Sequence, residues 1–140
     1  MKWFKLLTIL VFSLTFFNAK AQDNGAGHKI VFQLTDNNIK SQKSLTRQLN
    51  NLNQGWPEAE FQVVVHSVGI GYLIEDKSAF SDEIRNLSEM GVVFVACENT
   101  LSAKNISKDK VIDVAKYVKM GIAEVVRKQE QGWSYIKAGL

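Results

Sequence analysis

Residues 92–100 read VVFVACENT: five apolar residues lead into the chain's one cysteine, Cys97, and Glu98, Asn99 and Thr100 follow at once. A short, β-branched apolar run is the pattern of a strand buried on both faces, as in a parallel sheet. Just before it, Gly91 stands where a glycine cap closes a helix. That helix runs from about Ser78 to Met90 and carries an apolar stripe of Phe80, Ile84 and Leu87. A short helical turn is expected after Thr100.

The same alternation extends in both directions. IVFQL (30–34) reads as a strand bounded by the turn signal Asp36-Asn37-Asn38, and Leu45, Leu49 and Leu52 mark a helix over about Lys40 to Asn53. Gly55-Trp56-Pro57 breaks that helix. FQVVVHSV (61–68) is a second strand, ended by Gly69-Ile70-Gly71. Downstream, Ser107 caps a further turn with Asp109 in its first positions, and Val114 to Val118 forms a fourth strand. Ile122, Val125 and Val126 lie on a helix closed near Gly132, and Trp133 to Ile136 is a last strand. Strands alternating with helices imply a three-layer α/β/α fold around a mainly parallel sheet of about five strands.

In such sheets chemistry gathers at the carboxyl ends of the strands. Here those ends carry Thr35 and Asp36, His66 and Ser67, Cys97 to Thr100, and Lys119. Cys97 has two readings. It is either a small buried hydrophobe or a thiol activated by the backbone N–H groups of a following helical turn. His66 is either a hydrogen-bonded strand-end histidine or the group that moves a proton for, or pairs with, the thiolate. His28 begins the first strand, at the far end of the sheet from Cys97. No close ligand pair seeds a zinc site, so no metal is expected. Gly69-Ile70-Gly71 lacks the third glycine of a dinucleotide loop, because Ile74 stands there, and no cofactor is expected.

The N-terminal stretch reads as a cleavable secretory leader. Lys2 and Lys5 supply a positive start, Leu6 to Phe17 an apolar run, and Ala19-Lys20-Ala21 a small-x-small site, with cleavage after Ala21. The apolar run is shorter than the roughly 20 residues of a spanning helix, so no stable membrane anchor is expected. The remaining residues, 22–140, suffice for a single domain. Loss of Lys2, Lys5 and Lys20 leaves 14 bases against 14 acids, and that neutrality argues against nucleic acid as a partner. A lone cysteine in an exported chain has no internal partner for a disulfide. A periplasmic or secreted location follows from the leader.

Four segments, KIVFQLTDN (29–37), VVVHSVGIGYL (63–73), GVVFVACENTL (91–101) and YVKMGIAEVVRKQEQGWSYIK (117–137), make the chain resemble the DsrE/DsrF-like family. The Cys-x-Asn-Thr segment and the closing Gln-x-x-Gly-Trp-x-Tyr-Ile carry most of the likeness. The resemblance implies a sulfur-relay role in which Cys97 holds a persulfide, a sulfurtransferase-like activity. It also implies a homo-oligomer, a trimer or a multiple of one, served by a sulfur donor or acceptor protein or a small sulfur compound. Cys97 and His66 are the candidate reactive residues, and Asp36, Gly69, Gly71, Glu98, Asn99 and Thr100 are candidate site-lining residues. The competing reading is a non-catalytic small-ligand-binding or oligomeric interaction protein of the same fold.

Overall fold

A computed structural model describes residues 23–139. The expected leader, 1–21, lies outside them. Five strands, β1 (Lys29–Leu34), β2 (Glu60–Val65), β3 (Val93–Cys97), β4 (Lys116–Val118) and β5 (Ser134–Lys137), form one sheet in the order β4-β3-β2-β1-β5. Every pairing is parallel. Four helices connect them: α1 (Ile39–Gly55), α2 (Ser81–Glu89), α3 (Glu98–Ala103) and α4 (Gly121–Glu130). Among the described residues no helix is long and apolar enough to cross a membrane.

Strand alternation sorts the side chains into two layers. Ile30, Phe32, Leu34, Val63, Val65, Phe94 and Ala96 form the larger core with Leu45 and Leu49 of α1, Ile84 and Leu87 of α2, and Leu101 of α3. On the other face Val31, Val64 and Val95 meet Val125 of α4. The division follows from handedness. From β1 to β4 the chain steps one way across the sheet, and right-handed crossovers put α1, α2 and α3 on one side. It then jumps back from β4 to β5, so the same rule sends α4 to the opposite face. Adjacent strands β3 and β4 therefore feed helices on opposite faces, which opens a crevice at their carboxyl ends.

Several expected boundaries move. The second strand stops at Val65, not Val68. His66 donates its N–H to the Leu34 carbonyl, and the chain then turns into a 3-10 helix, Ser67–Leu73, that buries Ile70, Tyr72 and Leu73. Gly69 and Gly71 lie inside that helix instead of ending a strand. Gly69 is required there, because a Cβ would come within 2.8 Å of the Leu34 carbonyl oxygen. The buried Tyr72 hydroxyl is 2.8 Å from Thr46 Oγ1, which in turn donates to the Gln42 carbonyl at 2.9 Å, so α1 and the 3-10 helix are tied without an orphaned polar atom.

The second helix begins at Ser81, three residues late, after the Ser78 hydroxyl accepts the Phe80 N–H at 3.2 Å. The turn expected after Thr100 begins at Glu98, so that strand β3 passes into α3 with Cys97 itself as the capping residue. The fourth strand is shorter, Lys116–Val118, because Ala115 donates to the Ile112 carbonyl in a turn.

Candidate functional site

Cys97 ends β3 at the β3/β4 crevice, with its side chain on the α4 face of the sheet. Its sulfur accepts the N–H of Gly121, the first residue of α4, at 3.2 Å, and lies 3.9 Å from the Lys119 carbonyl oxygen. Asn99 donates its N–H to that same carbonyl, which fastens the start of α3 to the end of β4. The residue is only 4% exposed. Burial pushes the thiol pKa up, but the Thr100 hydroxyl and the N–H groups of Gly121, Thr100 and Asn99 around the sulfur outweigh it, the Gly121 N–H bonding it directly. The net shift is downward, toward thiolate.

Gly121 is a contact point that the sequence reading did not single out. A Cβ on it would sit 3.2 Å from Cys97 Cβ and 3.2 Å from both Cβ and Cδ2 of His66. Thiol and imidazole thus flank a single backbone position where a hydrogen fits and a methyl is crowded. The positive end of α4 faces the sulfur through the same residue.

His66 is oriented from behind. The Tyr135 hydroxyl donates to Gln33 Oε1, which turns the Gln33 amide so that Nε2 donates to His66 Nε2 at 2.8 Å. An accepting Nε2 assigns the proton to Nδ1, 3.1 Å from Ser67 Oγ, and so a neutral ring. Burial pushes the His66 pKa down, in keeping with neutrality. Both ring nitrogens are bonded to groups other than the sulfur. His66 therefore borders the thiol without hydrogen-bonding to it.

Ser67, at a left-handed φ of 56°, links the two halves of the site by donating its N–H to Thr100 Oγ1 at 3.1 Å. Of the expected site residues, the structure brings together Cys97, Asn99, Thr100 and His66. Glu98 turns away to pair with Lys108. Asp36 caps the Asn38 N–H and lines a separate cleft with Lys137 and Gly139, while Gly71 lines a third, described below. Gln33 and Tyr135 had one legible signal, a lone amide within the apolar run IVFQL; the partner hydroxyl, 102 residues away, had none. Among the described residues no three His, Cys, Asp or Glu side chains gather as a metal site, and His28 stacks on Trp56 at the opposite end of the sheet.

The family model described as DsrE/DsrF-like matches residues 27–138. A protein of unknown function, MTH1491 from Methanobacterium thermoautotrophicum, is 30% identical with a TM-score of 0.75, over 79% of this chain and 98% of its own. A conserved protein of unknown function, BT1422 from Bacteroides thetaiotaomicron, shares the fold at 17% identity and a TM-score of 0.66, over 81% of this chain and 97% of its own. No curated protein matches the chain.

Proposed function

The chain belongs to the DsrE/DsrF-like family, and from that premise we propose that it is a sulfur carrier, sulfurtransferase-like in its chemistry, that holds a persulfide on Cys97. The observation that carries the reading is the Gly121 N–H donated to the sulfur at 3.2 Å, at the mouth of the β3/β4 crevice. A thiolate held there attacks the terminal sulfur of a donor persulfide, R–S–SH. The Cys97–sulfur bond forms, the bond to the donor breaks, and RS⁻ leaves with the electron pair. The transferred sulfur keeps its proton, and no oxidant is consumed. The reverse step onto an acceptor thiolate empties the carrier. N–H groups that stabilise the thiolate serve equally for the persulfide anion, which carries its charge one atom further out.

Loading with a small organic persulfide or thiosulfate, followed by intact-mass analysis, is the test. One added sulfur atom is expected on the wild type and none on Cys97→Ser. An unloaded thiol that still alkylates would overturn the reading. The 4% exposure of Cys97 favours one competing view, a thiol that only lines a small-ligand site. The same loading experiment separates the two.

Two further parts of the reading concern the protein's surroundings. Residues 1–21 have the pattern of an export leader, which supports a periplasmic or secreted carrier and puts cytosolic sulfur donors out of reach. Met120, Ile122 and Val126 are each about half exposed on or beside α4 (48%, 50% and 49%). Apolar side chains left wet next to the site support association of copies of the chain, and the family resemblance supplies the number, a trimer or a multiple of one.

A further inference from the structure

On the opposite side of the rim from Cys97 lies a cavity of about 350 Å³ between the start of α1, the 3-10 helix Ser67–Leu73 and the residues after α3. Its wall is aliphatic: Ile39, Val68, Ile70, Ile74 and Ile106 line it. Ile70 and Ile74 are buried at its floor, while Ile39 and Val68 are left 54% and 50% exposed. Large apolar side chains in water on a concave surface are the mark of a surface meant to be covered.

Three separate features supply positive or donor character to this apolar cleft. Lys77 and Lys104 line it, and neither is ion-paired among the described residues. No acid lines it. Helix α1, 17 residues long, starts at its edge with no acidic residue in the first turn, and the nearest carboxylate, Asp36, stands just outside the helix on the Asn38 N–H. Finally, Gln42 is only 6% exposed and lines the cavity, yet its side-chain amide makes no hydrogen bond among the described residues. The amide atoms are not sealed from solvent, so they are open to a group that enters the cavity.

We propose that this cavity is a binding site for a small organic anion, a carboxylate or sulfonate head on a short aliphatic body. The body covers the isoleucines and Val68. The head takes the Gln42 amide and the field of Lys77, Lys104 and the α1 N-terminus. The site is distinct from the Cys97 crevice and does not depend on sulfur chemistry there.

Octanoate is the probe, with octanol as its uncharged counterpart, followed by calorimetry and by amide shifts in the full chain. Saturable octanoate binding is expected, with shifts at Ile39, Gln42 and Val68, much weaker octanol binding, and weakening by salt. The double variant Lys77→Gln/Lys104→Gln should lose about tenfold in affinity. Gly71→Leu provides an independent block. A Cβ at Gly71 meets nothing within 4 Å, so the added side chain enters open space at the cavity wall and should abolish binding with the fold intact. Cys97→Ser should bind octanoate like the wild type, which keeps this inference separate from the sulfur-carrier reading. Absence of saturable binding, octanol binding as tight as octanoate, or full affinity in Gly71→Leu would each overturn it.

Discussion

At the scale of single residues, the thiol is governed by the polar groups around it, which outweigh its burial. Alkylation of Cys97 against pH should show a midpoint below the ordinary thiol value of 9.0. Thr100→Val removes one donor while keeping the shape, so the midpoint should rise. A midpoint unchanged by that substitution would remove Thr100 from the account. Gly121→Ala places a methyl at 3.2 Å from both Cys97 and His66, and persulfide loading should slow at least severalfold while the circular-dichroism spectrum stays native. His66 gives a second pH signature. Its folded pKa lies below the unfolded value, so the unfolded chain takes the proton first and stability should fall as pH drops below 6.5. Denaturant midpoints across that range should show the loss, and His66→Asn should lessen it. Cys97, His66 and Thr100 were legible in the sequence because strand ends share a rim. Gly121 was not, since its role depends on β4 lying beside β3, an adjacency no local pattern encodes.

At the scale of elements, the apolar periods were enough to find every strand and the three longer helices, but not the place where an element stops. The strand pattern of FQVVVHSV runs on through Val68, yet Ser67 takes a left-handed φ and the chain coils under the rim. What ends β2 is the close approach of Gly69 to the Leu34 carbonyl, a contact between segments 35 residues apart that period-2 alternation cannot register. Helix α1 starts where its cap is strongest: Asn38 Oδ1 accepts the Lys40 N–H at 2.9 Å. Asn38→Ala should therefore cost about 1 kcal/mol of unfolding free energy, read from the denaturant midpoint. A loss below a few tenths would mean that Asp36, which bonds the Asn38 N–H at 2.9 Å, holds the turn alone.

At the scale of the whole molecule, the all-parallel sheet leaves a surface that one copy does not cover. Ile122 and Val126 face outward one turn apart on α4, and Tyr135 and Ile136 stay 41% and 39% exposed on the edge strand. The closing strand completes the sheet of its own chain through β1, so its aromatic residue works inside the subunit as well as at its surface. Light scattering on protein lacking residues 1–21 should give the mass of several subunits, and Ile122→Glu/Val126→Glu should reduce it to one. A single-subunit mass for the unsubstituted protein, independent of concentration, would defeat the assembly. The pairing of β5 with β1 also sets an order of events. Gln33 is made early and waits for Tyr135, synthesised 102 residues later, before the amide that steers His66 is locked. Cys97 also precedes Tyr135 in the chain, so the latch behind His66 can close only after the thiol that His66 borders has been made.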